Sequence, residues 1–203
     1  MRDECAPLVE LNLDCLRALH AAAQDKSFNA AAAHPVLAQL QPLWCTLGSQ
    51  ALERLARAPF TLLDAEFGAR VDWLQPTVPG VRDASAVREP ACFDAAIGRM
   101  LLRRLLAYGW HVARSQPRAA RLLLGCDGAA VSALGACSLG TLDAVADLRG
   151  HELRLRWAQH LDYWRELLTT AQQGSEPKFN ERLLHAVRRV AADALRAQTA
   201  TSR

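Results

Sequence analysis

The chain has 203 residues, 51% of them hydrophobic and 22% charged, with a formal net charge of +3. That length allows one domain or two small ones and buries roughly 70% of the unfolded surface. No apolar run reaches the ~18 residues of a membrane span, and no signal-peptide core follows Met1-Arg2-Asp3-Glu4. The small net charge does not by itself announce a nucleic-acid binder. A cytoplasmic protein without a membrane span is expected.

Taken in order, residues 8–24 place Leu8, Leu11, Leu16 and Leu19 at helical spacing in an Ala-rich background, which predicts an amphipathic helix. His34-Pro35 starts a second helix to about Leu47, with Pro42 marking a kink or a join. A short helix follows over 49–58. Pro59 opens another over Phe60 to Phe67, closed by Gly68. Residues 69–74 alternate like a strand, Val71 and Trp73 against Arg70 and Asp72. Pro76, Pro79, Gly80 and the mixed charges up to Pro90 read as a linker over 76–90, separating an N-terminal helical half, 1–75, from a second half, 91–157.

In that second half Pro90 is expected at the first turn of a long helix reaching Arg114, with Leu101, Leu102, Leu105, Leu106 and Trp110 on its apolar face. Gly98 and Gly109 each cost such a helix up to about 1 kcal/mol, so both imply close packing. A helix restarts at Arg118 after Pro117. The stretch from Leu124 to Trp157 then reads as two short helices and a strand. Asp127 caps the first helix, Gly135 ends it, and Ser138 caps the second. After Gly150, Leu153, Leu155 and Trp157 alternate with Glu152, Arg154 and Arg156, as in a half-buried strand. A C-terminal extension, 158–203, contains a helix over 158–173, a turn at 174–177 and a last helix over 179–196.

Residues 47–73 echo residues 124–157: a Leu-Gly step, a short helix, a helix with L-D-A, then an alternating strand ending in Trp. Gly48 would match Gly125, Asp64 Asp143, and Trp73 Trp157. The expected fold is therefore mainly α, two similar helical halves with one short strand each, which could pack as an intramolecular pseudo-dimer. The alternative is that two Ala/Leu-rich segments look alike by composition.

Chemistry-bearing motifs are sparse. Cys5, Cys15, Cys45, Cys92, Cys126 and Cys137 include no C-x-x-C pair, and the six histidines are isolated, so no metal or cofactor is expected and the thiols read as reduced and mostly buried. The nucleophile elbow and the P-loop are absent, which points away from an enzyme. The tryptophans, Trp44, Trp73, Trp110, Trp157 and Trp164, read as core anchors. Residues 127–147 have the size of a helix-turn-helix. Leu139, Gly140, Thr141 and Asp143 offer little to a base edge, so the second helix reads as a packing element.

Charge distribution says more than its sum. From Ala95 to Cys126 there is no Asp or Glu, but Arg99, Arg103, Arg104, Arg114, Arg118 and Arg121 all fall there. These six could contact phosphates or an acidic protein partner, or could form a solvated arginine face.

Leu124-Gly125, Cys137-Ser138-Leu139, Leu142 with Val145-Ala146, Arg149-Gly150-His151 and Leu153 to Trp157, with the helix before them, resemble the FlhD family of flagellar transcriptional activators. Leu8 to Lys26 resembles the first helix of that family. Gly140 stands where the family has Pro, and the chain is about twice the length such a protein needs. The resemblance implies a mainly helical, non-enzymatic co-activator that assembles with a zinc-bearing FlhC-like subunit and reaches DNA through the complex. A second resemblance, Phe28-Asn29 followed by His34-Pro35, is to SctK-like assembly proteins of type III secretion.

Overall fold

The computed structural model describes residues 6–65, 74 and 90–201. Helices dominate: α1 (Ala6–Gln24), α2 (Pro35–Ala38), α3 (Gln41–Thr46), α4 (Ser49–Ala56), α5 (Ala95–Ser115), α6 (Pro117–Leu124), α7 (Gly128–Ala136), α8 (Leu139–Arg149), α9 (Leu161–Gln173) and α10 (Glu176–Thr201). Two short strands, β1 (Leu63–Asp64) and β2 (Arg154–Leu155), pair antiparallel with Leu63 opposite Leu155. The protein is mainly α. No single described helix is long and apolar enough to cross a membrane.

Local signals set most helix ends. His34 Nδ1 accepts a hydrogen bond from Val36 N at 3.2 Å while Pro35 fills the first turn of α2. Pro42 marks the join between α2 and α3. Asp127 accepts from Ala130 N at 2.7 Å and Ser138 from Thr141 N at 3.1 Å, so both expected caps of the central stretch form. Gly174, at φ +74°, ends α9.

Some boundaries differ from expectation. The long helix starts at Ala95 rather than at Pro90, because Asp94 Oδ1 accepts from both Ala96 N and Ile97 N at 2.9 Å and fixes the first turn there. Gly135 does not end α7, which runs to Ala136 before Cys137 turns extended. The alternating strand shrinks to two residues, with Glu152 in a 3-10 turn (Gly150–Glu152) and Trp157 at φ +53°, a left-handed value that turns the chain and delays α9 to Leu161. Glu152 and Arg156, expected outside, are both buried.

The helix expected from Phe60 is not formed over residues 60–65, where the chain bends at Phe60 and Leu62 and then enters β1. The reason is a set of side chains from distant segments. Asn12, fully buried on α1, donates from Nδ2 to Phe60 O at 2.9 Å, and its Oδ1 accepts from Leu62 N at 2.9 Å. From the other side Arg156 N donates to Leu62 O at 2.7 Å, and the Arg156 guanidinium donates to Thr61 O at 2.7 Å, Thr61 Oγ1 at 2.8 Å and Leu124 O at 2.8 Å. A helix there would need its own carbonyls for internal bonds, and these partners already take them.

Consequently Asp64 lies in a strand whereas Asp143, its expected counterpart, lies in α8. The strand expected over 69–73 and the linker residues 76–89 lie outside the described residues. β1 pairs with β2 across the two halves, and one continuous hydrophobic core runs from Leu11 in α1 to Val190 in α10.

Helix α5 occupies the middle of that core, touching α1, α6, α7, α8 and the 3-10 turn. Its two glycines lie at close contacts, as their cost implied. A Cβ on Gly98 would stand 2.5 Å from Gly150 O, and one on Gly109 would stand 2.9 Å from Leu134 Cδ2. Trp44 and Trp164 lie fully buried, with ring centroids 6.1 Å apart, and donate to Val36 O and Arg156 O, each at 3.0 Å.

Candidate protein-docking groove

Three consecutive leucines, Leu122, Leu123 and Leu124, end α6. At 100° per residue they span too wide an arc to face one neighbour. Leu124, with Ala120, is buried in the core. Leu122 is left 51% exposed on the other side. Gly125, at φ +66°, then reverses the chain, leaving that side of α6 facing α10 and the 59–60 turn.

Between them lies an apolar groove of about 250 Å³, lined by Pro59, Phe60, Ala119, Leu122, Leu123, Val187, Val190 and Ala191. Its floor is pinned to α6, because Thr61 N and Thr61 Oγ1 both donate to Leu123 O at 3.0 Å. Phe60 is held from behind by Trp157, ring centroids 5.5 Å apart, and Trp157 by the edge of Tyr163 at 5.0 Å. On the open side Leu122, Val187 (40% exposed) and Leu184 (56% exposed) stand in solvent. An exposed apolar cluster beside a preformed groove is what a binding surface looks like.

The six predicted arginines do not form one face. Arg103 Nε lies 2.8 Å from Asp143 Oδ1, and its Nη2 lies 3.0 Å from Asp147 Oδ1, so α8 supplies carboxylates to that guanidinium. Arg104 pairs with Asp14 of α1. Arg99 is exposed, with its backbone and side-chain stem against Gly150. Arg114 lies over the Trp110 ring, 4.7 Å from its centroid. Arg121 is partly buried. Arg118 is exposed one turn before Leu122, beside the groove.

Two other arginines adjoin groove-lining residues in the chain and were not singled out by sequence. Arg57, two residues before Pro59, and Arg188, next to Val187, are both exposed. The groove itself was also missed. The signal that could have found it is the leucine triplet on a helix too short to bury all three.

The would-be recognition helix α8 packs on α5 through Leu142, Val145, Ala146 and Arg149, and leaves Asp143 and Asp147 exposed. It therefore presents carboxylates rather than base-reading groups at its surface. Cys15, Cys92 and Cys126 are buried, and Cys45 and Cys137 partly so. Burial pushes the Cys126 thiol up to about 12 and the Cys15 thiol well above its ordinary range, so neither is a ready nucleophile. No group of three His, Cys, Asp or Glu among the described residues could hold a metal ion.

Comparison with family models, curated proteins and solved structures gives no match.

Proposed function

We propose that this chain is a non-enzymatic regulatory subunit that works by docking a protein partner, in the manner of an FlhD-like co-activator that reaches promoter DNA through its partner. The observation that carries the reading is the order of elements from α5 to β2. The long α5, the short α6, the Gly125 step, the short α7, the Ser138-capped α8, a turn and a short strand follow one another. Apart from the break between α5 and α6, that is the order of long helix, Gly step, short helix, capped helix, turn and strand in the family the sequence resembles. Neutralisation of Arg103 and Arg104 by the chain's own carboxylates fits a protein that binds DNA weakly alone.

The test is fluorescence anisotropy with labelled promoter DNA, with and without a co-expressed FlhC-like subunit. Affinity should rise at least tenfold with the partner. No change over the chain alone overturns the co-activator reading.

A second reading, an SctK-like assembly protein of type III secretion, is favoured by one observation. The His34-Pro35 step that carries that resemblance is built into the core, with His34 only 2% exposed where it caps α2. Co-purification with secretion-ring proteins in place of an FlhC-like subunit would select it.

A further inference from the structure

We propose that the groove between α6 and α10 docks an amphipathic helix of a protein partner, one carrying acidic residues beside its apolar stripe. This rests on the reading that the chain works through a partner, and it names the partner's chemistry.

Size argues first. At about 250 Å³ the groove falls below the ~300–1,000 Å³ of small-molecule sites and has room for a few aliphatic side chains. Every lining residue is apolar. An extended peptide laid on such a floor would leave its backbone N–H and C=O groups without partners. A helix satisfies its own backbone and presents side chains at i, i+3, i+4 and i+7, which suits a floor that offers no polar atoms.

Charge supplies the second argument. Arg57, Arg118 and Arg188 are exposed beside the three segments that build the groove. Those segments, residues 56–63, 113–126 and 182–192, contain no Asp or Glu. The nearest acidic positions along the chain, Asp64, Asp127, Glu181 and Asp193, fall outside them. A partner helix with flanking carboxylates would meet the arginines of all three segments beside its apolar stripe and would be steered by them.

The test uses the full chain as bait for a displayed library of amphipathic helical peptides, with randomised apolar positions and randomised flanking charges. Selection on the wild type is set against counter-selection on Leu122→Glu. Leu122 is half exposed, so its substitution leaves the core intact; a thermal melt checks this, and Val187→Glu is the second variant. Enriched peptides should carry Asp or Glu beside the apolar stripe and bind at micromolar Kd. Leu122→Glu and Val187→Glu should each weaken them at least tenfold, and Arg118→Glu with Arg188→Glu should weaken them several-fold and flatten the salt dependence.

Enriched peptides without acidic bias, or binding untouched by both groove variants, overturn the proposal. So does an absence of enrichment, or a dimer in sedimentation that Leu122→Glu dissociates, since a second copy would then fill the groove. If such peptides bind while an FlhC-like subunit fails to raise DNA affinity, the docking chemistry stands and the co-activator reading falls. The converse result separates them in the other direction.

Discussion

Asn12 offers the sharpest check on how the fold is held. Replacing it with Ala removes both short bonds to the non-helical segment, to Phe60 O and from Leu62 N, each 2.9 Å, and the longer ones to Ala56 O at 3.2 Å and Ala58 O at 3.4 Å. Each buried polar group left without a partner costs about 1–3 kcal/mol. Two such groups give about 2–6 kcal/mol, a large share of the ~5–15 kcal/mol that holds a domain together. At about 2–4 °C per kcal/mol for a chain of this size, the melting temperature should fall by roughly 5–20 °C. Urea unfolding would measure the loss, and hydrogen exchange at the Leu62 amide would locate it. Asn12→Asp separates hydrogen bonding from packing: the carboxylate keeps the acceptor for Leu62 N but faces three carbonyls, so it should be worse than Asn at neutral pH and partly recover in acid, where a protonated carboxyl donates. A loss under about 1 kcal/mol for Asn12→Ala, with unchanged exchange at Leu62, would refute the assignment of this residue as the organiser of residues 60–65.

Two further outcomes follow from close contacts and from burial. Gly98→Ala places a methyl 2.5 Å from a backbone carbonyl that cannot swing away, so α5 and the 3-10 turn must separate, at about 1–3 kcal/mol in denaturant unfolding, whereas Gly48→Ala, with open space around it, should cost far less. Cys126, raised from 9.0 to about 12, holds its proton in the folded state at pH values where the unfolded thiol has lost it. Its contribution is therefore complete below about pH 9 and declines as pH rises toward 12. Cys126→Ala should flatten that alkaline decline, and the wild-type thiol should react with a disulfide reagent only as fast as the chain opens.

Legibility in the sequence followed the distance over which each element is decided. The caps at Asp127 and Ser138 bind amides three residues away, and both could be read from the chain, as could the helix start at His34-Pro35, though not the side-chain cap that His34 supplies there. The same local reading failed at residues 60–65, where the deciding groups are Asn12, 48 positions before Phe60, and Arg156, 95 positions after Thr61. Arg156 also misled the strand reading, since alternation places it outside while its guanidinium serves buried carbonyls. At the candidate site the arginines were legible as a charge-biased stretch, but their dispersal was not. Asp14, Asp143 and Asp147 come from other helices and reach Arg104 and Arg103 only once the chain is packed. The groove needs α6 and α10 side by side, which no sequence spacing announces.

The antiparallel pairing of Leu63–Asp64 with Arg154–Leu155 has a consequence for how the protein is made. The N-terminal segment leaves the ribosome with Asn12 and β1 ready, yet the residues that cover them, α5 and β2, are synthesised later. At about 5–20 residues per second that interval is roughly 5–20 s. Until then the apolar face of α1 turned toward α5 is open to any other surface, including a neighbouring nascent chain. Yield in cells should therefore depend on translation speed and on chaperones that shield this half, and slowing synthesis between β1 and α5 should favour aggregation over native protein.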